Sequence, residues 1–145
     1  MVETILIALK EKMEAEQKSF YDGSHITQSG EDYLEAVLML QKKNGTVRSV
    51  DLARHMEVSK PSVSRAVAVL QQGGFLTMDS DYSLHLTGIG QEVAEKIYER
   101  HQFFTEQLVA AGVDQETAEQ DACRIEHAIS DTSFQKLKEM IQKTD

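Results

Sequence analysis

Three metal-binding side-chain types stand close together in the stretch DACRIEHAIS: Cys123, Glu126 and His127. On a helix they fall at i, i+3 and i+4 and project from one face. Such a group is either a set of ligands for one ion or an ordinary helix surface beside a buried thiol. Four more residues offer donors at helical spacing. Asp32 and Glu35 lie one turn apart, His101 stands in a long amphipathic segment, and Glu119 precedes Cys123 by one turn. Carboxylates, imidazoles and a single thiolate suit Mn²⁺ or Fe²⁺ better than a structural zinc, which favours several thiolates; Zn²⁺ or Co²⁺ would still be accepted in vitro. The His-Glu-x-x-His pattern of a catalytic zinc site is absent. Each residue also has a plainer reading. Asp32 follows Ser29 in an S-x-x-D pattern that closes a helix N-terminus, and a single cysteine on an amphipathic helix is usually a small core residue.

The elements that must position these side chains are mostly helical, since the chain has one proline and few glycine clusters. Ile5, Leu6, Leu9 and Met13 predict an N-terminal helix from Val2 to Phe20, followed by a hinge at Tyr21-Asp22-Gly23-Ser24. Ser29 is the expected N-cap of a second helix that ends near Asn44-Gly45, and a third runs from Ser49 to Met56. A turn at Val58-Ser59 leads into a helix opened by Lys60-Pro61, where proline in the first turn removes no helical hydrogen bond, and this helix stops at Gly73-Gly74. FLTM and SLHLT flank Asp79-Ser80-Asp81 as a short hairpin. Thr87 caps a long helix bearing Ile89, Val93, Ile97, Phe104 and Leu108 and ending at Gly112, and two further helices start at Asp114 and at Ser130 or Asp131.

Helix, turn, helix and two-stranded hairpin is the order of a winged helix-turn-helix, whose second helix enters the major groove. The chain carries a net charge of −9, which argues against nonspecific attraction to anionic surfaces. Between Arg48 and Arg65, however, Arg48, Arg54, Lys60 and Arg65 outnumber Asp51 and Glu57. Arg48, Ser59, Lys60, Pro61, Ser62, Ser64 and Arg65 are therefore the candidate DNA-contacting residues, with Val63, Val67 and Leu70 on the buried side of the same helix. Asp79 and Asp81 at the hairpin tip would repel phosphate. One cysteine cannot form an internal disulfide, no apolar run is long enough for a membrane span, and the N-terminal charges lack the order of a signal peptide, so a cytoplasmic protein is expected.

GEDYLEAVLML, SKPSVSRAVAVL, HLTGIGQEVAEKIYERH and DACRIEHAIS together resemble the diphtheria toxin repressor family of metal-dependent transcriptional regulators, over roughly Ile26 to Ile141. They resemble in particular its short branch of manganese regulators, which has no SH3-like C-terminal domain. The resemblance implies a mainly α homodimer with a winged helix-turn-helix domain (26–87) and a helical metal-binding and dimerisation domain (88–145); the N-terminal helical extension (1–25) is longer than the family's usual start. It implies that a divalent metal, Mn²⁺ or Fe²⁺, controls binding to palindromic operators in double-stranded DNA, with repression of metal-uptake genes and no enzymatic activity. It also carries the ligand pattern onto Asp32, Glu35, His101, Cys123, Glu126 and His127. Two positions depart from any one branch. Manganese members have glutamate where this chain has Cys123, and iron members have methionine where it has Asp32. Thr105 stands where many members offer a carboxylate one turn after His101, so a second ion would have to borrow Glu119 or water. The alternatives are a winged-helix regulator sensing an organic ligand and a small metalloenzyme or metal store.

Overall fold

The computed structural model describes residues 2–8, 10–11, 21–22 and 25–144. Residues 2–8 and 10–11 are helical (α1), and the rest of the helix expected up to Phe20 lies outside the described residues. Tyr21–Asp22 (β1), at the start of the stretch expected as a hinge, pairs antiparallel with His25–Ile26 (β2), with Tyr21 opposite Ile26; Gly23 and Ser24 lie outside the described residues.

Three helices follow: α2 (Gln28–Asn44), α3 (Ser49–Met56) and α4 (Lys60–Gln72). Thr27, not Ser29, caps α2, its hydroxyl accepting from the Gly30 amide. Asp32 therefore lies inside the helix and closes no capping box. The two hydroxyls are two residues apart, and the helix starts at the earlier one. At the far end Gly45 adopts φ 84°, and its amide donates to the Gln41 carbonyl at 2.8 Å. Glu57 takes the left-handed conformation that turns α3 toward α4, and Ser59 caps α4 by accepting from the Ser62 amide at 3.2 Å. Leu34, Val37, Leu52, Val63, Val67 and Leu70 form the buried core of this trihelical array.

The wing is β3 (Leu76–Met78) paired antiparallel with β4 (Leu84–Leu86). Leu76 and Leu84 bury their side chains, and the Leu84 amide donates to the Val47 carbonyl at 2.7 Å, fixing the wing to the segment before α3. Three further helices complete the chain: α5 (Gly88–Ala110), α6 (Gln115–Ala128) and α7 (Asp131–Thr144). The start of α5 is locked to the base of the wing. The Thr87 amide donates to the Phe75 carbonyl at 3.1 Å, and the Thr87 hydroxyl donates to Gly74 O and accepts from the Gly90 amide. Gly90 has no room for a side chain, since a Cβ there would stand 2.0 Å from the Phe75 carbonyl oxygen.

The chain divides into two compact units, Met1–Glu95 and Lys96–Asp145, the division falling within α5. In the second unit Ile97, Ala118, Ala122 and Phe134 are buried, and the Phe134 ring meets Phe103 edge-on at 5.3 Å. Asp114 caps α6 as expected, accepting from the Thr117 amide, and the Ser130 hydroxyl caps α7 by accepting from the Ser133 amide. Among the described residues no helix is long and apolar enough to cross a membrane.

Candidate metal centre and nucleic-acid interface

Helix α6 is short and polar and buries little beyond Ala118, Ala122 and Glu126. The i, i+4 spacing of those three makes a single narrow stripe, so Glu126 is buried by the same periodicity that buries the alanines. Its side chain has 0% exposure, and its Oε2 lies 2.9 Å from His101 Nδ1 on α5. Cys123, one turn earlier, is exposed, and its Sγ lies 3.8 Å from the same ring nitrogen. The plainer reading of a buried core thiol is therefore wrong: alanines take the buried stripe and leave Cys123 at its edge. Donor atoms of His101, Cys123 and Glu126 all lie within 4.8 Å of one another. The adjacent His127 is nearly enclosed, with Nε2 3.3 Å from Glu126 Oε1.

One thiol and one carboxylate converging on a ring nitrogen hold His101 in its charged form. Its pKa is pushed up to about 10, chiefly by the contacts with Cys123 and then Glu126, against the lowering effect of burial. A divalent cation would replace that proton with a charge better matched to the surrounding donors. The donor set fits such an ion: soft sulfur, borderline nitrogen and hard oxygen, close enough to share one centre.

The remaining candidates are distributed as follows. Asp32 and Glu35 lie one turn apart on α2 of the first unit, Glu35 buried and Asp32 half-buried. Glu119 stands outside the cluster on an exposed part of α6, where its Oε1 accepts from Gln115 Nε2 at 2.9 Å. Thr105 is buried on α5, one turn after His101. Arg100 was not among the sequence candidates although its guanidinium is buried beside the last turn of α6. An arginine on a helix gives no local sign that it will be enclosed.

In the first unit, Lys60, Pro61, Ser64 and Arg65 are exposed along α4, while Val63 and Val67 are buried on its other side. Ser62 is half-buried, and its Oγ accepts from the Ser59 hydroxyl at 2.8 Å, so these two serines organise the helix start. Arg48 is exposed at the start of α3, its amide held by the Asp51 carboxylate at 2.9 Å. At the wing tip Asp79 Oδ1 accepts from the amides of Asp81 and Ser83, and Oδ2 lies 2.8 Å from His85 Nε2. The His85 contact and those amides hold its carboxyl below the usual range.

A recognition helix with a clear polar face, and a cation-matched donor cluster carried further along the chain, are parts of a DNA-binding regulator that answers to a metal ion. Comparison with known proteins agrees. Residues 25–83 match the family described as iron dependent repressor, N-terminal DNA binding domain, and residues 87–145 match the iron dependent repressor metal binding and dimerisation domain. The chain is 32% identical over 120 residues to an uncharacterized HTH-type transcriptional regulator of Methanocaldococcus jannaschii, covering 81% of this chain and 96% of that one. It is 31% identical over 116 residues to the HTH-type transcriptional regulator MntR of Bacillus subtilis, covering 80% and 82%. The solved structure of the manganese regulator SloR superposes with a TM-score of 0.68 at 26% identity, over 77% of this chain and 53% of that longer one. The chain belongs to the iron-dependent repressor family of metal-dependent transcriptional regulators, which is not a family of enzymes.

Proposed function

We propose that the chain works in the cytoplasm as a homodimeric repressor that binds palindromic operators of metal-uptake genes when Mn²⁺ or Fe²⁺ is available. The observation that carries the metal half of this reading is the convergence of His101 Nδ1, Cys123 Sγ and the Glu126 carboxylate within 4.8 Å. His127 and the α2 carboxylates Asp32 and Glu35 complete the ligand set in the family pattern. Residues 26–87 act as the DNA-binding domain and 88–145 as the metal-binding and dimerisation domain, behind an N-terminal extension.

When bound, the ion supplies positive charge that offsets the repulsion among these carboxylates. The chain's own residues do the rest. Asp32 and Glu35, as hard donors on α2, connect the recognition helix to the metal state, while Glu126 and His127 connect that state to the dimerisation helices. Coupling of this kind is typically about 1–3 kcal/mol, or roughly 5- to 150-fold in operator affinity. Lys60, Ser64 and Arg65 then meet phosphates and base edges, and Arg48 approaches the backbone.

The test is operator-DNA binding followed by fluorescence anisotropy with Mn²⁺, Fe²⁺ or Zn²⁺ and with a chelator. Wild type is expected to bind tightly only with metal, whereas Glu126→Ala and His127→Ala remain helical and respond to none. Equal binding with metal and with chelator would overturn the reading.

A further inference from the structure

Helix α6 ends at Ala128, so the carbonyls of its last turn have no amide ahead of them in the helix. That turn carries Glu126 and His127. The Ile129 amide satisfies Ile125 O at 3.3 Å, and the next carbonyl in line, Glu126 O, accepts from a side chain on another helix. Arg100 Nη1 donates to Glu126 O at 3.3 Å and to Ile129 O at 2.7 Å, while Nη2 pairs with Asp131 at the start of α7. The guanidinium is enclosed, with 5% exposure, and stands 5.3 Å from the centre of the Phe134 ring. Asp131 is mostly exposed and is also held by Lys96 at 2.8 Å.

We propose that Arg100 is a positioning residue of the metal centre, acting through the backbone of α6. Its planar fork satisfies orphan carbonyls at the negative end of the helix, which a cation stabilises electrostatically as well as by hydrogen bonding. Without it those carbonyls lose their charge-assisted donor, the last turn of α6 loosens, and Glu126 and His127 lose their fixed relation to His101. Cys123 sits one turn earlier, where α6 carries its own bonds, so it is spared. Arg100 also directly precedes His101 on α5, so one short segment supplies a candidate ligand and the anchor for the ligands opposite. This inference rests on the metal-centre reading above.

Titration with Co²⁺, followed by absorption, separates the two. Wild type is expected to show a thiolate-to-cobalt band that Cys123→Ser lacks; no such band, or the same band in both, defeats the metal-centre reading itself. Granted that band, Arg100→Met is expected to keep it but to lose about tenfold or more in Co²⁺ affinity, with altered d–d bands and unchanged helical circular dichroism. Arg100→Lys, which keeps the charge and one donor, recovers part of the loss. Asp131→Asn, which leaves both carbonyl bonds in place, binds Co²⁺ within about twofold of wild type. Wild-type affinity and d–d bands in folded Arg100→Met would overturn the proposal, as would an equal loss in Asp131→Asn. If Arg100→Met does not fold, Arg100→Lys decides: intermediate affinity supports the proposal and wild-type affinity overturns it.

Discussion

The Glu126 carboxylate and the His101 ring meet at 2.9 Å across a separation of 25 residues, with Glu126 fully enclosed. A buried carboxylate is costly unless its charge is matched. In the metal-free protein the match comes from a protonated imidazole.

That proton sets a pH dependence. Because the His101 pKa is raised from 6.5 to about 10, its contribution to the stability of the metal-free fold is full below about pH 6.5 and is lost as pH climbs through about 10. Metal affinity runs the other way. Ligation needs the neutral ring as well as the thiolate, and release of the ring proton alone raises apparent affinity about tenfold per pH unit while His101 remains protonated. Calorimetric titration of Mn²⁺ between pH 6 and 8 in two buffers of different ionisation enthalpy should register that release, and a His101→Gln variant should release one proton fewer.

Cys123 is expected to bias metal choice. A soft thiolate favours Fe²⁺, Co²⁺ and Zn²⁺ over Mn²⁺ more steeply than a carboxylate does. Cys123→Glu should shift the metal that best promotes operator binding toward Mn²⁺, read from metal titrations of DNA binding. An unchanged metal order in Cys123→Ser would remove the thiol from the centre.

Arg65 is exposed on the recognition helix, and its replacement by alanine should weaken specific operator binding by about 1–3 kcal/mol if it reads a base edge. Mn²⁺ affinity should stay the same. Binding across a salt series distinguishes a phosphate contact, which lowers the salt slope, from base readout, which relaxes sequence preference.

Gly90→Ala should destabilise the protein by about 3 kcal/mol, because the new methyl meets backbone, which cannot swing aside as a side chain would. Gly88→Ala, two residues earlier, meets nothing within 4 Å and should be neutral or slightly stabilising. Urea unfolding of the two variants compares them directly.

These contrasts follow the range over which each feature is decided. The C-terminus of α2 and the start of α4 were legible because Gly45, Ser59 and Pro61 act within one turn of their own positions. The cap of α2 was misplaced by two residues because Thr27 and Ser29 carry equivalent hydroxyls. Spacing placed Cys123, Glu126 and His127 on one helix, but it could not say which would be enclosed; that is decided by α5 lying across α6 at His101. Arg100 was missed for the same reason, since its partners lie 26 to 31 residues away. The amide contacts of Asp79 follow a local rule that sequence does carry: an aspartate opening a tight turn tends to accept amides two to four residues ahead.

The exposed thiol has a practical side. Cys123 is the sole cysteine of the chain, and it lies at the edge of the donor cluster and not within the core. Any maleimide or disulfide reagent therefore labels this protein at a single place, beside His101 and Glu126. On the metal-centre proposal, the rate at which the label enters gauges occupancy, on the unaltered sequence with no engineered reporter.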